Sequence, residues 1–279
     1  MLRKDLVIGL DSSTTACKVV IVDADGHLIS CARSPVAILK PRPSWHEQDA
    51  NVWWSAARRV LREATAQVDL RRLAALCITA QRETFVVCDE DCSPLFNAVL
   101  WLDGRCWDLL PEIDRRYSSR RIHEESGKPL SANLSLGKIF WLHEQRRELL
   151  DQNARVLDVH SFLTHRLTGQ VATSWGCADP MGVFDMRKNC WNASLLEAIG
   201  LRVEQLPQLF PVGAFVAEVT PEAADQTGLP AAVPVIAGLG DGQSAGLGAC
   251  AVSPGDAYLN LGTAIVSGTF SDRYLVDRT

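Results

Sequence analysis

No stretch of the 279 residues approaches the roughly 18 consecutive apolar residues that a membrane helix needs. The opening residues carry Arg3 and Lys4, but the apolar run Leu6 to Leu10, bracketed by Asp5 and Asp11, is far too short for a secretory signal. Basic charge is not in excess either. Lys and Arg number 28 against 33 Asp and Glu, a net charge of -5, so no global field draws the chain toward nucleic acid or an anionic membrane. Paired cysteine motifs are missing: the nine cysteines scatter from Cys17 to Cys250 without a C-x-x-C, Cys88 and Cys92 being the nearest approach. That pattern fits buried, reduced thiols in a cytoplasmic protein rather than a disulfide scaffold or a zinc site. His160 and His165 lie five apart and leave the shared face of a helix, so they offer no metal pair. There is no internal repeat and no low-complexity tract.

What is present is a chain 47% hydrophobic, long enough to bury about three quarters of its unfolded surface as one large domain or as one domain with the start of another. Leu6 to Leu10, Cys17 to Val22 and Leu28 to Cys31 read as strands, the last two joined by the turn dipeptide Asp25-Gly26. From Asp49, a plausible N-cap, Val52, Ala56, Val60 and Ala64 recur at fourfold spacing and predict a helix. Leu73 to Thr79 and Phe85 to Cys88 return to strand character, and a helix between strands implies a crossover connection. Helices are expected over Cys106 to Tyr117, Leu136 to Leu150, His160 to Leu167 and Ser194 to Ile199, and from Pro221. Ala172 to Val183 reads as irregular and Pro207 to Thr220 as a connection. Val233 to Leu239 is a buried-strand run entering the glycine-rich turn Gly240 to Gly248, and Asp256 to Phe270 reads as two strands about Gly262-Thr263.

Three places carry chemistry. After the first strand, Asp11 precedes Ser12-Ser13-Thr14-Thr15, so hydroxyls and backbone N–H groups that suit phosphate oxygens stand beside a carboxylate that suits Mg²⁺. An ordinary Asx or Ser/Thr turn fits the same residues. Asp241 follows a buried strand among glycines, where a substrate has room to approach a general base, although capping of the next helix accounts for such an acid too. Asn260 to Thr263 forms a second hydroxyl-bearing turn.

The ordered set resembles the N-terminal half of the FGGY carbohydrate kinases, the group that includes glycerol kinase, xylulokinase and ribulokinase. The resemblance runs from Val7 to about Thr269. It rests on Asp11 to Thr15, on Gln81-Arg82-Glu83-Thr84 with Trp101, and on Ser135, Lys138, Trp141, Leu142, Glu144 and Gln145, which look like the signature S-x-x-K-x-x-W-L-x-E-Q. Val219 to Ala224 with Thr227 to Pro230, then Asp241, then Gly262-Thr263, complete it.

The resemblance implies an α/β fold of the actin-like ATPase (ribonuclease H-like) type: a mixed sheet opening with an antiparallel meander, then parallel strands, with helices on both faces. It implies phosphoryl transfer from ATP, with Mg²⁺, to a hydroxyl of a small ketose or polyol. Asp241 would be the catalytic base and would touch the substrate, and Asp11 would hold the metal. Ser13, Thr14, Thr15, Gly262 and Thr263 would line the phosphates, while Arg82, Glu83 and Trp101 would bind substrate hydroxyls and the C–H face of the sugar. Lys138 and Trp141, one helical turn apart, and the pair Trp53-Trp54 are read as packing residues. The expected organisation is a substrate-binding domain over 1–252 and the start of a nucleotide-binding domain over 253–279. The expected partners are ATP and a small sugar or polyol, with neither nucleic acid nor membrane; a homo-oligomer is compatible with the sequence.

Three departures bear on specificity. Ser13 stands where many members have glycine, Asn133 takes the place of an aromatic residue, and Gly242 replaces the glutamine that follows the base in glycerol kinases. The last two argue against glycerol itself. Rival readings are a non-catalytic sugar-binding or regulatory relative, an inactive fragment of a kinase, and another member of the superfold such as an acetate kinase or a chaperone-type ATPase.

Overall fold

A computed structural model describes residues 4–261 and 265–276. The chain opens with the meander β1 (Leu6–Ser12), β2 (Ala16–Asp23) and β3 (Leu28–Pro35). Gly26 turns β2 into β3 with a φ of 84°, a left-handed conformation that glycine adopts without steric cost. A two-residue strand β4 (Glu47–Gln48) leads into α1 (Ala50–Thr65). Asp49 caps that helix by accepting the Asn51 N–H at 2.9 Å, as its position predicts. There follow β5 (Leu73–Ala80), β6 (Phe85–Cys88), β7 (Ala98–Val99), α2 (Leu110–Tyr117), α3 (Ser119–Ser126), α4 (Ser135–Gln145), β8 (Arg155–Asp158) and α5 (Val159–Thr168). The remainder comprises β9 (Ala172–Ser174), α6 (Trp175–Ala178), β10 (Phe184–Asp185), β11 (Cys190–Trp191), α7 (Ala193–Ala198), β12 (Gln208–Phe210), β13 (Phe215–Glu218), α8 (Pro221–Thr227), β14 (Pro234–Ile236) and α9 (Asp241–Gly248). A final hairpin joins β15 (Ala257–Leu261) to β16 (Ile265–Thr269).

The principal sheet has the order β13-β14-β5-β1-β2-β3. β1, β2 and β3 pair antiparallel, whereas β5 runs parallel to β1 and β14 parallel to β5, so α1 is the crossover from the meander to β5. Period-two alternation drives Leu6, Ile8, Leu10, Val19 and Ile21 into one core. α1 buries Trp53, Ala56, Ala57, Val60, Leu61 and Ala64 against that face, and Phe162 of α5 meets Trp53 edge-on at 5.6 Å. A second sheet, β4-β7-β6-β8, stands beside the first. β6 divides two cores: Val86 and Cys88 enter the one below the principal sheet, Phe85 and Val87 the one built on α4.

Several expectations are corrected. The helix expected from Cys106 is a 3₁₀ turn over Trp107–Leu109, with α2 beginning only at Leu110 ahead of Pro111, and α4 stops at Gln145, Arg147–Leu150 being 3₁₀. The stretch expected to be irregular holds β9 and α6, and the connection 207–220 holds β12 and the edge strand β13. No helix among the described residues is long and apolar enough to cross a membrane.

The closest backbone approach lies beyond β14. A Cβ on Gly238 would stand 1.7 Å from the Ile78 carbonyl oxygen of β5, a distance only backbone movement relieves. Gly238→Ala is therefore expected to cost about 3 kcal/mol or to prevent native assembly of the β5–β14 edge. Urea unfolding against the parent protein measures it, and a midpoint unchanged in that variant contradicts the packing described.

Candidate active site

Strand register places the site. Asp11 lies opposite Thr79 and Ser12 opposite Ala80 across β1 and β5, and Ala80 forms a parallel bridge with Gly240. At about 5 Å per strand spacing, Ser12 and Gly240 are separated by about 10 Å, so Asp11 and Asp241 emerge at the same edge of the sheet. The Ser244 hydroxyl donates to Thr79 Oγ1 at 3.0 Å and fastens α9 onto β5. Asp241 senses the Asp11 charge. Asp241 is raised above its ordinary value, first by desolvation in the cleft and also by the Asp11 charge, against the Gly242 N–H that its Oδ1 accepts at 2.8 Å and the Arg82 cation. Gly240 is the cap residue of α9 and Asp241 its first residue, so the first-turn Gly242 N–H engages one carboxylate oxygen, Oδ1.

Asp11 Oδ2 accepts the Ser13 hydroxyl at 2.7 Å and lies 3.7 Å from Lys18 Nζ. Its Oδ1 is buried with no hydrogen-bond partner. A buried carboxylate oxygen without a partner fits a hard cation such as Mg²⁺, which takes oxygen ligands. The Ser13 side chain turns back onto Asp11. Thr15 is exposed at the loop's edge. Gly262 and Thr263 lie outside the described residues.

Thr14 belongs to a closed ring of hydrogen bonds. Its carbonyl accepts from Gln48 Nε2 at 2.7 Å; Gln48 Oε1 accepts from Gln81 Nε2 at 3.1 Å; and Gln81 Oε1 accepts the Thr84 hydroxyl at 3.3 Å. Thr84 Oγ1 in turn accepts the Trp101 backbone N–H at 3.0 Å, and the Trp101 indole returns to Thr14 Oγ1 at 2.9 Å. Trp53 adds a 2.8 Å indole bond to Gln48 Oε1. Trp101 is thus held from both sides, half-buried beside the Thr14 loop. Lys138, fully buried, donates to the carbonyls of Trp101 at 3.0 Å and Asn133 at 2.7 Å. Burial pushes its ammonium down to about 8, against the attraction of Cys106, Glu83 and Asp103. Arg105 locks the surrounding loops. Its guanidinium reaches Glu47 at 2.7 Å and Asp103 at 2.8 Å and lies 4.0 Å above Trp45.

Arg82 and Glu83 follow β5 toward the same cleft. The Arg82 Nη2 donates to both oxygens of Asp179 at 2.7 and 2.8 Å, and its stem lies on Gly240, where a Cβ would meet Arg82 Cδ at 2.3 Å. Glu83 adopts a φ of 54°, left-handed, which aims its side chain out of line with the strand. Desolvation raises its carboxyl to about 7, with Asp179 and Asp241 adding to the rise and Arg82 and Lys138 opposing it. His160 of α5 supports Asp241 at one remove: fully buried and pushed by desolvation toward its neutral form, it accepts the Gly238 N–H on Nε2 at 3.2 Å.

The structure therefore brings Asp11, Ser13, Thr14, Arg82, Glu83, Trp101 and Asp241 to one cleft. Sequence reading missed Gln48, Asp179 and Lys128. Asp179 stands 97 residues from Arg82, in a stretch without periodicity, so only the excess positive charge of a half-buried arginine could have called for it.

These features define an α/β protein of the actin-like ATPase fold with a polar, acid-flanked cleft at the strand ends. The sequence pattern of the FGGY family of carbohydrate kinases, N-terminal domain, matches residues 6–248, and the chain belongs to that family. It is 29% identical over 270 residues to the xylulose kinase of Escherichia coli (strain K12), covering 97% of this chain and 55% of that protein. It is 31% identical over 263 residues to the glycerol kinase of Thermococcus onnurineus (strain NA1), covering 92% of this chain and 52% of that one. The chain thus spans about half the length of the curated relatives it matches. The crystal structure of xylulose kinase from Rhodospirillum rubrum superposes with a TM-score of 0.93 at 26% identity, over 98% of this chain and 56% of that one. Gluconate kinase from Lactobacillus acidophilus gives 0.93 at 22% identity, over 98% of this chain and 55% of that one, a likeness of fold.

The raised Glu83 has a thermodynamic consequence. Between its ordinary value of 4.5 and about 7 the folded chain binds more protons at this group than the unfolded chain, so its contribution to stability falls as pH rises through that window. Glu83→Gln is expected to remove the fall, leaving the variant about 1 kcal/mol more stable than the parent at pH 8 and indistinguishable at pH 4. Denaturant unfolding at the two pH values reads the difference, and parallel pH profiles for parent and variant would contradict it.

Proposed function

We propose that this chain carries the substrate side of an ATP-dependent kinase acting on a hydroxyl of a small ketose or polyol. One observation supports this most: Asp11, with a buried oxygen lacking a partner, and Asp241, with a free carboxylate oxygen, share one strand-end cleft with Arg82, Glu83 and Trp101 between loop and helix. Asp241, itself an exposed residue, takes the proton from the attacking hydroxyl, and its raised affinity for protons favours that role. Glu83 accepts from substrate hydroxyls, Arg82 donates, and Trp101 offers its face to the sugar's C–H groups. Thr14 and Thr15 offer hydroxyls to phosphate oxygens, as would Thr263. Asp11 would hold Mg²⁺, which when bound spreads phosphate charge. Residues 253–279 we assign to the beginning of a second, nucleotide-binding domain. The hairpin β15–β16 pairs with no other strand among the described residues, in keeping with that assignment.

A cleft open to water loses much of the electrostatic advantage of a closed one. The chain by itself is therefore expected to bind substrate weakly and to turn over little. Thermal-shift titration with xylulose, ribulose, xylitol and glycerol tests the binding, since saturation at a hundred times Kd stabilises by about 2.7 kcal/mol. Asp241→Asn is expected to keep the shift, and in a coupled ADP-release assay to lower any turnover by about 100-fold or more. Absence of a shift with all four ligands overturns the reading.

A further inference from the structure

We infer that Asp179 sets the charge of the substrate: as an internal carboxylate seated on Arg82, it makes the site take neutral hydroxylated ligands and reject aldonates. The inference rests on the kinase reading above and names the substrate class of that site. A free, half-buried guanidinium is the natural receptor for a carboxylate, which it grips with two parallel hydrogen bonds. Here that place is filled. Both Asp179 oxygens accept from Arg82 Nη2, at 2.7 and 2.8 Å, with the two side chains only 20% and 10% exposed. With its amide oxygen turned toward Arg82, Gln243 accepts from Nη1 and Nη2 at 3.1 Å each, while Nε is buried without a partner and remains to donate to a substrate hydroxyl. The Arg82 stem lies over Gly240, where an added Cβ would meet Arg82 Cγ at 2.5 Å.

A second cation shares the acid. Lys128 Nζ lies 2.9 Å from Asp179 Oδ2. Two positive charges thus converge on one carboxylate at the cleft wall, and an incoming aldonate must displace a buried, doubly paired anion to reach either of them. It must also face Asp241, whose charge repels it. A neutral polyol meets neither cost. Without Asp179, the same two cations stand bare beside the substrate position and form an anion site.

Removing the charge therefore reverses the preference. Asp179→Asn and Asp179→Ser are both made, so that one folded variant suffices, with Asp179→Glu as the charge-retaining control; near-ultraviolet circular dichroism verifies the fold. Calorimetric titrations with xylitol, xylulose and gluconate at neutral pH are compared. The parent and Asp179→Glu are expected to bind the neutral ligands in preference to gluconate, and the uncharged variants to shift the gluconate-to-xylitol affinity ratio about tenfold or more toward gluconate. Adding Lys128→Met to the uncharged variant is expected to reduce that gain, which mere loosening of the wall would not do. A parent that binds gluconate as well as the polyols, or uncharged variants with the parent's ratio, overturns the inference while leaving the kinase reading intact. A parent that binds none of the three ligands overturns both.

Discussion

The parallel alignment of three chain segments at one sheet edge is the constraint on which the site depends. β1 ends at Ser12, β5 at Ala80, and the chain leaving β14 passes Ala80 at Gly240. Only with no side chain at position 238 can the third segment lie against the Ile78 carbonyl, and only then does the next turn start a helix with an acid in its first position. Loops from sequence positions more than 200 apart thereby share one rim. This is where open α/β sheets generally receive ligands, because backbone groups at strand ends and helix starts are free to face a bound molecule.

Alignment of strands fixes distance but not side-chain orientation, and the ring through Thr14, Gln48, Gln81, Thr84 and Trp101 supplies the latter. Each bond is worth about 1 kcal/mol at most. Their closure matters more than their sum, since no member can rotate without stranding a buried polar group on its neighbours. The ring makes the Thr14 loop and Trp101 one mechanical unit. Lys138 extends it from below through the Trp101 carbonyl. The packing role that sequence analysis gave this lysine holds, but it is exercised through hydrogen bonds by a cation that burial has made easier to deprotonate.

Local signals were legible wherever a short segment decided its own structure. The meander, the Asp49 cap, the crossover helix and the glycine-rich turn before Asp241 are all visible as periodicity or punctuation. Features that depend on distant partners were not. β4 and β7 have two residues each and so no period to detect, yet β4 carries Gln48, two of whose partners lie 33 and 34 residues away. β13 is only half-buried and hides in a stretch that reads as a connection. α3 was overlooked because it is short and strongly charged, with ion pairs from Arg120 to Glu124 and Arg121 to Glu125 in place of an apolar stripe. The residue types at the site were readable. The pairing that neutralises Arg82 was not.

The left-handed backbone at Glu83 places two demands on one position in opposition. An L-residue with a side chain adopts φ near 54° at an expense of about 1 kcal/mol, which glycine would avoid. Glycine, however, has no carboxylate to offer. Drift toward greater robustness at this turn thus leads away from the ligand recognition proposed for Glu83, and a lineage that abandoned that chemistry would be free to relax here first, making position 83 a sensitive gauge of whether a descendant keeps it.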